Sequence, residues 1–158
     1  MSKGLFPEID TNVHYFSRID EEETLGTWIH CPFRLENKEW LTIEHYFQAM
    51  KFADETYQEK IRLAASAKQA RKLGRTRFKR IKTNWRDLRA VFMTRAVYTR
   101  CKTYPDLARH LMNTGSKKLM ENSQYDYYWG CGRDRRGTNM YGQVLMNVRD
   151  KLRDESRR

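Results

Sequence analysis

The stretch Trp40-Leu41-Thr42-Ile43-Glu44-His45-Tyr46-Phe47-Gln48-Ala49-Met50-Lys51-Phe52 constrains this chain more than any other. Thr42 is a favoured helix N-cap, since its hydroxyl can accept from a first-turn amide that lacks a partner inside the helix, and Leu41 can pack back against the helix as a staple. At about 100° per residue, Ile43, Tyr46, Phe47 and Met50 share one stripe, and Glu44, Gln48 and Lys51 share another. His45, Ala49 and Phe52 form a third. A carboxylate, an amide and an ammonium in register can position a water and a leaving group, or they can be a solvated face. The other segments are expected to build over this helix.

Short β segments are expected at Val13-His14-Tyr15-Phe16 and Thr27-Trp28-Ile29-His30-Cys31, where branched and aromatic residues cluster on either side of the acidic Asp20 to Glu23. Phe33-Arg34-Leu35 and Lys38-Glu39-Trp40 flank Glu36-Asn37, and Asn tolerates left-handed backbone, so a hairpin should lead into Thr42. Thr56 to Ala65 reads as a second helix or a bent continuation of the first, and Ser66-Ala67-Lys68-Gln69 as the capping box of a third helix that Gly74 ends as a C′ residue. A fourth helix begins at an N-cap of Thr83 or Asn84 and runs to about Cys101, and Pro105 opens a fifth that Gly115 closes. Asn139 is placed to cap a last helix with Val144, Leu145, Val148 and Leu152 facing inward, and Arg153 to Arg158 reads as a frayed tail. The fold class implied is mainly α, an α+β arrangement with a small N-terminal β portion. With 158 residues and no Gly/Ser/Pro-rich linker, the chain suits one compact multi-helix domain. Its core should span about residues 13–152, with a flexible N-terminal segment.

Hydrophobic residues make up 39% of the chain and aromatics 13%, which together support an aromatic-rich globular core despite a charged fraction of 32%. No apolar run approaches the length of a membrane span, and Met1 to Pro7 lacks the apolar segment of a signal peptide, so the expectation is a cytoplasmic protein with no membrane partner. Cys31, Cys101 and Cys131 show no Cys-x-x-Cys spacing, and the four histidines are scattered, so neither a disulfide framework nor a metal site is suggested. Cys131 has no nearby His partner and reads as a passive thiol.

The net charge of +11 favours polyanionic partners such as nucleic acid, nucleotides or sugar phosphates. The densest positive stretch carries Arg71, Lys72, Arg75, Arg77, Lys79, Arg80, Lys82, Arg86 and Arg89, interleaved with Phe78 and Trp85. Such a run can neutralise phosphates while the aromatics stack a base. Trp85 reads better as core, because Trp85, Leu88, Phe92 and Ala96 repeat at helical spacing. The second informative stretch is Asp126 to Gly142, in which Tyr127, Tyr128 and Trp129 are followed by Gly130, Gly132, Gly137 and Gly142. Closely spaced glycines let backbone amides approach an anion, and a helix N-terminus follows, but the spacing matches neither a Walker loop nor a dinucleotide fingerprint and no clear strand precedes it. An ordinary Gly-rich loop with Trp129 plugging the core is the equal alternative.

Taken together, Glu44-His45-Tyr46-Phe47-Gln48-Ala49-Met50-Lys51-Phe52 and Asp126-x-x-Trp129-Gly130-x-Gly132, continuing to Gly137-x-Asn139-x-x-Gly142-x-x-Leu145-Met146-x-x-Arg149, resemble the NADAR superfamily of YbiA-like N-glycosidases. Ala70-x-x-x-Gly74-Arg75 and Asn84-Trp85 add to the likeness. The resemblance implies a mainly α-helical fold and a hydrolase of N-glycosidic bonds. Its substrate would be a small ribosyl phosphate from riboflavin synthesis or, alternatively, ADP-ribose joined to guanine in nucleic acid. A binding module for nucleic acid or ADP-ribose without catalysis is the reading from another class. By position, Glu44, Gln48 and Lys51 match the first family motif, Asp126, Trp129 and Gly130 the second, and Asn139 the third. His45, Arg75, Trp85 and Gly132 complete the candidate substrate-binding set. Glu44 is the candidate for stabilising an oxocarbenium-like state and activating water, and Lys51 for protonating the leaving group, holding phosphate or forming a Schiff base. Arg75 and the Gly132 to Asn139 backbone are candidates for phosphate, and the scheme needs no metal or cofactor. The chain departs from the family at Leu25-Gly26-Thr27-Trp28, where Ser-Asn-Phe is common, and at Tyr141, where an aliphatic residue is usual.

Overall fold

A computed structural model describes residues 10–158. The N-terminal segment expected to be flexible lies outside these described residues, apart from its last few positions. Strand β1 (Val13–Phe16) is followed by an irregular segment, then by the hairpin of β2 (Phe33–Leu35) and β3 (Lys38–Trp40). Glu36 and Asn37, both with positive φ, make the two-residue turn of that hairpin, as its Asn predicts. Helix α1 (Ile43–Met50) follows directly, with the Thr42 hydroxyl accepting from the amide of His45 at 3.2 Å. All eight residues of α1 are buried, and α2 (Glu55–Arg62), α3 (Ala67–Gly74) and α4 (Trp85–Thr103) pack around it. Helix α5 (Pro105–Asn113), strand β4 (Lys118–Glu121) and helix α6 (Met140–Ser156) complete a helix-dominated α+β architecture. One apolar cluster runs through it from Phe16 to Leu152 and includes every apolar side chain of α1.

Several local expectations change. Thr27 to Cys31 is not a strand, because its backbone groups are taken up across the chain rather than along a ladder. The amide of Thr27 donates to Arg18 O at 2.7 Å, and its carbonyl accepts from the amide of Glu44 at 3.1 Å. Strand β4, which Lys-Leu-Met-Glu does not announce, exists because it pairs in parallel with β1, Val13 opposite Lys118 through Phe16 opposite Glu121. A strand therefore does precede the Gly-rich loop. Ser66 caps α3 as expected, its hydroxyl accepting from the amide of Gln69 at 3.1 Å. Gly74, however, is the last helical residue and is not left-handed. Asn139 stands at the N-cap position of α6 in left-handed geometry, but its side chain makes no capping bond. The segment expected to fray stays helical to Ser156, with Arg153 Nη2 donating to Met112 O at 3.1 Å and Glu155 accepting from the Tyr98 hydroxyl at 2.6 Å.

Candidate active site

Glu44 lies in the first turn of α1 and is 1% exposed. Its carboxylate accepts one hydrogen bond on each oxygen, from Gln48 Nε2 at 2.7 Å and from the Thr27 hydroxyl at 2.9 Å, and Arg18 Nη1 stands 3.9 Å away. The Gln48 contact is the i to i+4 neighbour relation within the helix. The contacts from Thr27 and Arg18 come from the irregular segment after β1. That segment is held from two other helices: Arg100 of α4 donates to Gly26 O at 2.7 Å, and the Tyr141 hydroxyl of α6 donates to Leu25 O. The two places where the sequence departs from the family pattern are thus in contact with each other.

Arg18 is buried and joins Glu44 to Asp126, whose Oδ2 it meets at 2.7 Å through Nη2. Burial works against its charge, but Glu44, Asp126 and Glu121 around it outweigh that and raise its pKa. The other oxygen of Asp126 accepts from the amides of Tyr128 and Trp129 at 3.0 and 2.8 Å, so one carboxylate both holds Arg18 and fixes the turn that carries Trp129. Burial alone would raise the pKa of Asp126; the Arg18 guanidinium and these amides reverse that and hold it below the usual carboxylate range.

Lys51, at the C-cap of α1, donates to Gly74 O at 2.6 Å. Burial pushes its pKa down, the charges of Arg75 and Arg71 add to that, and the nearby Glu44 opposes it. Gly74 has to lack a side chain for this arrangement to exist: a Cβ there would lie 2.0 Å from Gln48 Oε1 and 2.9 Å from Gln48 Cβ. The glycine that looked like a helix stop is a packing requirement of the polar stripe.

These groups enclose a cavity of about 200 Å³ lined by Arg18, Glu44, Phe47, Gln48, Lys51, Arg71, Arg75, Trp85, Arg89, Asp126 and Trp129. Trp129 and Trp85 form its aromatic wall, each packed on Phe47 with ring centroids 5.3 and 5.2 Å away. Arg18, Arg71, Arg75 and Asp126 also line a larger outer cleft of about 610 Å³ bordered by Tyr125, Tyr127 and Tyr128. Among the described residues Arg71, Arg75 and Arg89 have no carboxylate partner within ion-pair distance, although Arg18 beside them has two. Arg89 instead lies flat over the Tyr128 ring, its Cζ 3.2 Å from the centroid. Three unneutralised guanidinium groups at the mouth and a carboxylate at the floor suit a substrate that is anionic at one end and develops positive charge at the other.

The structure brings together Glu44, Gln48, Lys51, Arg75, Trp85, Asp126 and Trp129 from the expected set. The others have different surroundings. His45 is fully buried away from the cavity, its Nδ1 2.8 Å from the Thr42 hydroxyl and its Nε2 3.0 Å from Ala64 O. Burial lowers its pKa. Asn139 bonds to β4, accepting from the amide of Glu121 and donating to Leu119 O, both at 2.8 Å. Gly130 and Gly132 make room for the protein itself, since a Cβ would stand 2.5 Å from Glu121 Oε2 in one case and 2.4 Å from the Tyr127 ring in the other. Of the Gly132 to Asn139 backbone expected to cradle phosphate, the amides of Gly132, Gly137, Thr138 and Asn139 are engaged by the carbonyls of Ser123, Cys131, Tyr127 and Gly130. Arg71 on α3 lines the same cavity and stands four residues before Arg75, the C-cap of that helix, a spacing visible in the sequence. Arg18 and Thr27 were not legible, since the carboxylates they meet lie 17 or more residues away. Among the described residues no group of three or more His, Cys, Asp or Glu could hold a metal ion, and no helix is long and apolar enough to cross a membrane.

Comparison with known proteins identifies the family and the fold. The NADAR domain family model matches residues 10–153. The N-glycosidase YbiA of Escherichia coli strain K12 is 35% identical over 143 residues, covering 90% of this chain and 89% of that protein. A riboflavin biosynthesis protein of Vibrio vulnificus is 35% identical over the same length, 90% of this chain and 39% of its own. The NMR structure of Escherichia coli YbiA superposes with a TM-score of 0.83 at 34% identity, covering 91% of this chain and 86% of that one.

Proposed function

This chain belongs to the NADAR domain family, and from that premise we propose that its cavity hydrolyses the bond between C1′ of a ribose phosphate and the nitrogen of an aminouracil or diaminopyrimidine base. It is a hydrolase of the N-glycosidase type. The substrate class draws on the relative named for riboflavin biosynthesis. One observation carries the reading: a buried carboxylate at the floor, an aromatic wall and unneutralised guanidinium groups at the mouth of a single cavity.

Breaking a ribosyl C–N bond passes through a state with positive charge on the sugar, which a nearby carboxylate stabilises more than it stabilises the ground state. Glu44 provides that charge and takes a proton from the attacking water, which adds at C1′. Gln48 and Thr27 fix its two oxygens, so little reorganisation is needed when the charge develops. The bond to nitrogen breaks with its electron pair leaving on the base, and Lys51, whose lowered pKa makes it a better proton donor, protonates that nitrogen. Trp129 and Trp85 flank the base. Arg71 and Arg75 bind the phosphate. The outer cleft gives a second reading its footing, because an ADP-ribosyl base would place its second phosphate and adenosine there.

The test is to incubate the protein with a ribosylaminouracil phosphate and, separately, with ADP-ribosylated guanine in an oligonucleotide, and to measure the freed sugar. Release of ribose phosphate from the first supports the proposal. Release of ADP-ribose alone moves the assignment to the second reading, and release from neither overturns both.

A further inference from the structure

Phe78 is 96% exposed, the most open large apolar side chain among the described residues. It sits in the loop 75–84 between α3 and α4, outside the cavity that holds Glu44. That loop is not loosely attached. The amide of Lys82 donates to Lys51 O at 2.8 Å, Ile81 bridges to Phe52, and the Phe78 amide donates to the Thr76 hydroxyl at 3.2 Å. Lys79 pairs with Asp54 at 2.9 Å. An aromatic ring is therefore held out into water on an anchored base, although burying apolar surface of that size is favourable.

The charge around the ring is equally unspent. Asp87 is the one acidic residue between positions 71 and 89, against nine Lys and Arg. Of those nine, Lys79 alone has an ion-pair partner among the described residues. Arg77 and Arg80 flank Phe78 and are exposed. Beside the ring a hollow of about 520 Å³ is bordered by Ala53, Asp54 and residues 79–84, wide enough for a flat group to lie against it.

We propose that this loop is a docking surface for single-stranded nucleic acid, with Phe78 stacking an unpaired base and Arg77, Arg80 and Lys82 holding the phosphates on either side. This goes beyond the glycosidase reading and does not depend on it, since none of these residues lines the catalytic cavity. A ring with an open face is what an unstacked base needs, whereas the bases of a duplex already stack on each other. An anionic membrane would call for a broad apolar face on an amphipathic helix rather than one ring on a basic loop.

The experiment is fluorescence anisotropy with labelled single-stranded RNA and DNA oligonucleotides of mixed sequence, the matching duplex, heparin as competitor and phosphatidylserine vesicles as a separate arm. Expected is binding of either single strand in preference to duplex, weakening steeply with salt. Phe78→Ala should lower affinity roughly ten-fold, and Arg77→Ala/Arg80→Ala should reduce the slope of log affinity on log salt by about 1.4. Because all three side chains are exposed, both variants should fold and hydrolyse a small ribosyl substrate like the parent, and Glu44→Gln should bind the strand unchanged. No binding at low salt, affinity indifferent to Phe78→Ala, duplex or heparin bound as well as single strand, or Phe78-dependent capture by vesicles would each overturn the proposal. Absence of hydrolysis by the parent protein with strand binding intact would instead count against the glycosidase reading alone.

Discussion

Glu44 and His45 are adjacent on α1, one 1% exposed and the other not exposed at all, and they illustrate two different ways of burying a polar group. Both ring nitrogens of His45 are engaged, by the Thr42 hydroxyl and by Ala64 O, and the ring ties the start of α1 to the segment before α3. The hollow on that side, about 380 Å³, is bordered by Glu21, Glu22, Trp28 and His30 and has no Lys or Arg in its lining. Glu44 is also fully hydrogen-bonded, but its surroundings are unfinished. Arg71, Arg75 and Arg89 converge beside it with no carboxylate of their own among the described residues, and the pKa values of Lys51 and Arg71 are driven down by burial. Burial alone therefore does not distinguish chemistry from structure. The feature that separates the two sides of α1, and on which the proposed chemistry rests, is charge left without a partner around an open cavity.

That contrast breaks most decisively under substitution. Glu44→Gln keeps shape and is expected to lower turnover on a ribosylaminouracil phosphate by a factor on the order of 10² or more, with the circular dichroism spectrum unchanged. His45→Ala should do the reverse. Removing a buried ring that satisfies two partners should cost about 2–3 kcal/mol in urea unfolding, while kcat at a temperature where the variant is folded stays within about two-fold of the parent. Arg75→Ala is smaller: KM for the phosphorylated substrate should rise roughly ten-fold with kcat nearly unchanged, and the dephosphorylated nucleoside should show no such shift.

The smallest effect lies in the pH dependence of stability. Asp126 has a lower pKa in the fold than in the unfolded chain, so its contribution is complete above the ordinary carboxyl value of about 4 and is lost as pH falls through the depressed folded value. Unfolding free energy followed from pH 6 downward should fall more steeply below pH about 4 for the parent than for Asp126→Asn. Coincident curves would remove Asp126 from its place as the group that holds Arg18 and the Trp129 turn.

How far the sequence carried depended on whether a signal was local. Helix α1, its Thr42 cap, the Glu36-Asn37 hairpin and the Pro105 helix rest on residues within a turn of one another, and each is found where those residues put it. The Glu44, Gln48, Lys51 stripe was legible for the same reason. Strand β4 was not, because its ladder among the described residues is with β1, about a hundred residues earlier. Thr27 to Cys31 has strand-like composition, yet its backbone is claimed by Arg18 and Glu44. Arg18 gives no periodic sign, and it is recognisable only once Glu44 and Asp126 are brought to the same point. In the Gly-rich loop the glycines signal close approach but not what approaches, and at Gly130 and Gly132 the neighbours are Glu121 and Tyr127.

The most direct test of the difference between the two sides of α1 is a titration of the labelled protein with ribose phosphate, followed by nitrogen-15 NMR. The account predicts that the indole N–H of Trp129 and Trp85 and the Nε–H of Arg71 and Arg75 shift together with saturation, while the ring nitrogens of His45 and the indole of Trp28 stay where they are. Saturable shifts at His45 and Trp28 with Trp129 unmoved would contradict it and place the ligand on the other side of the helix.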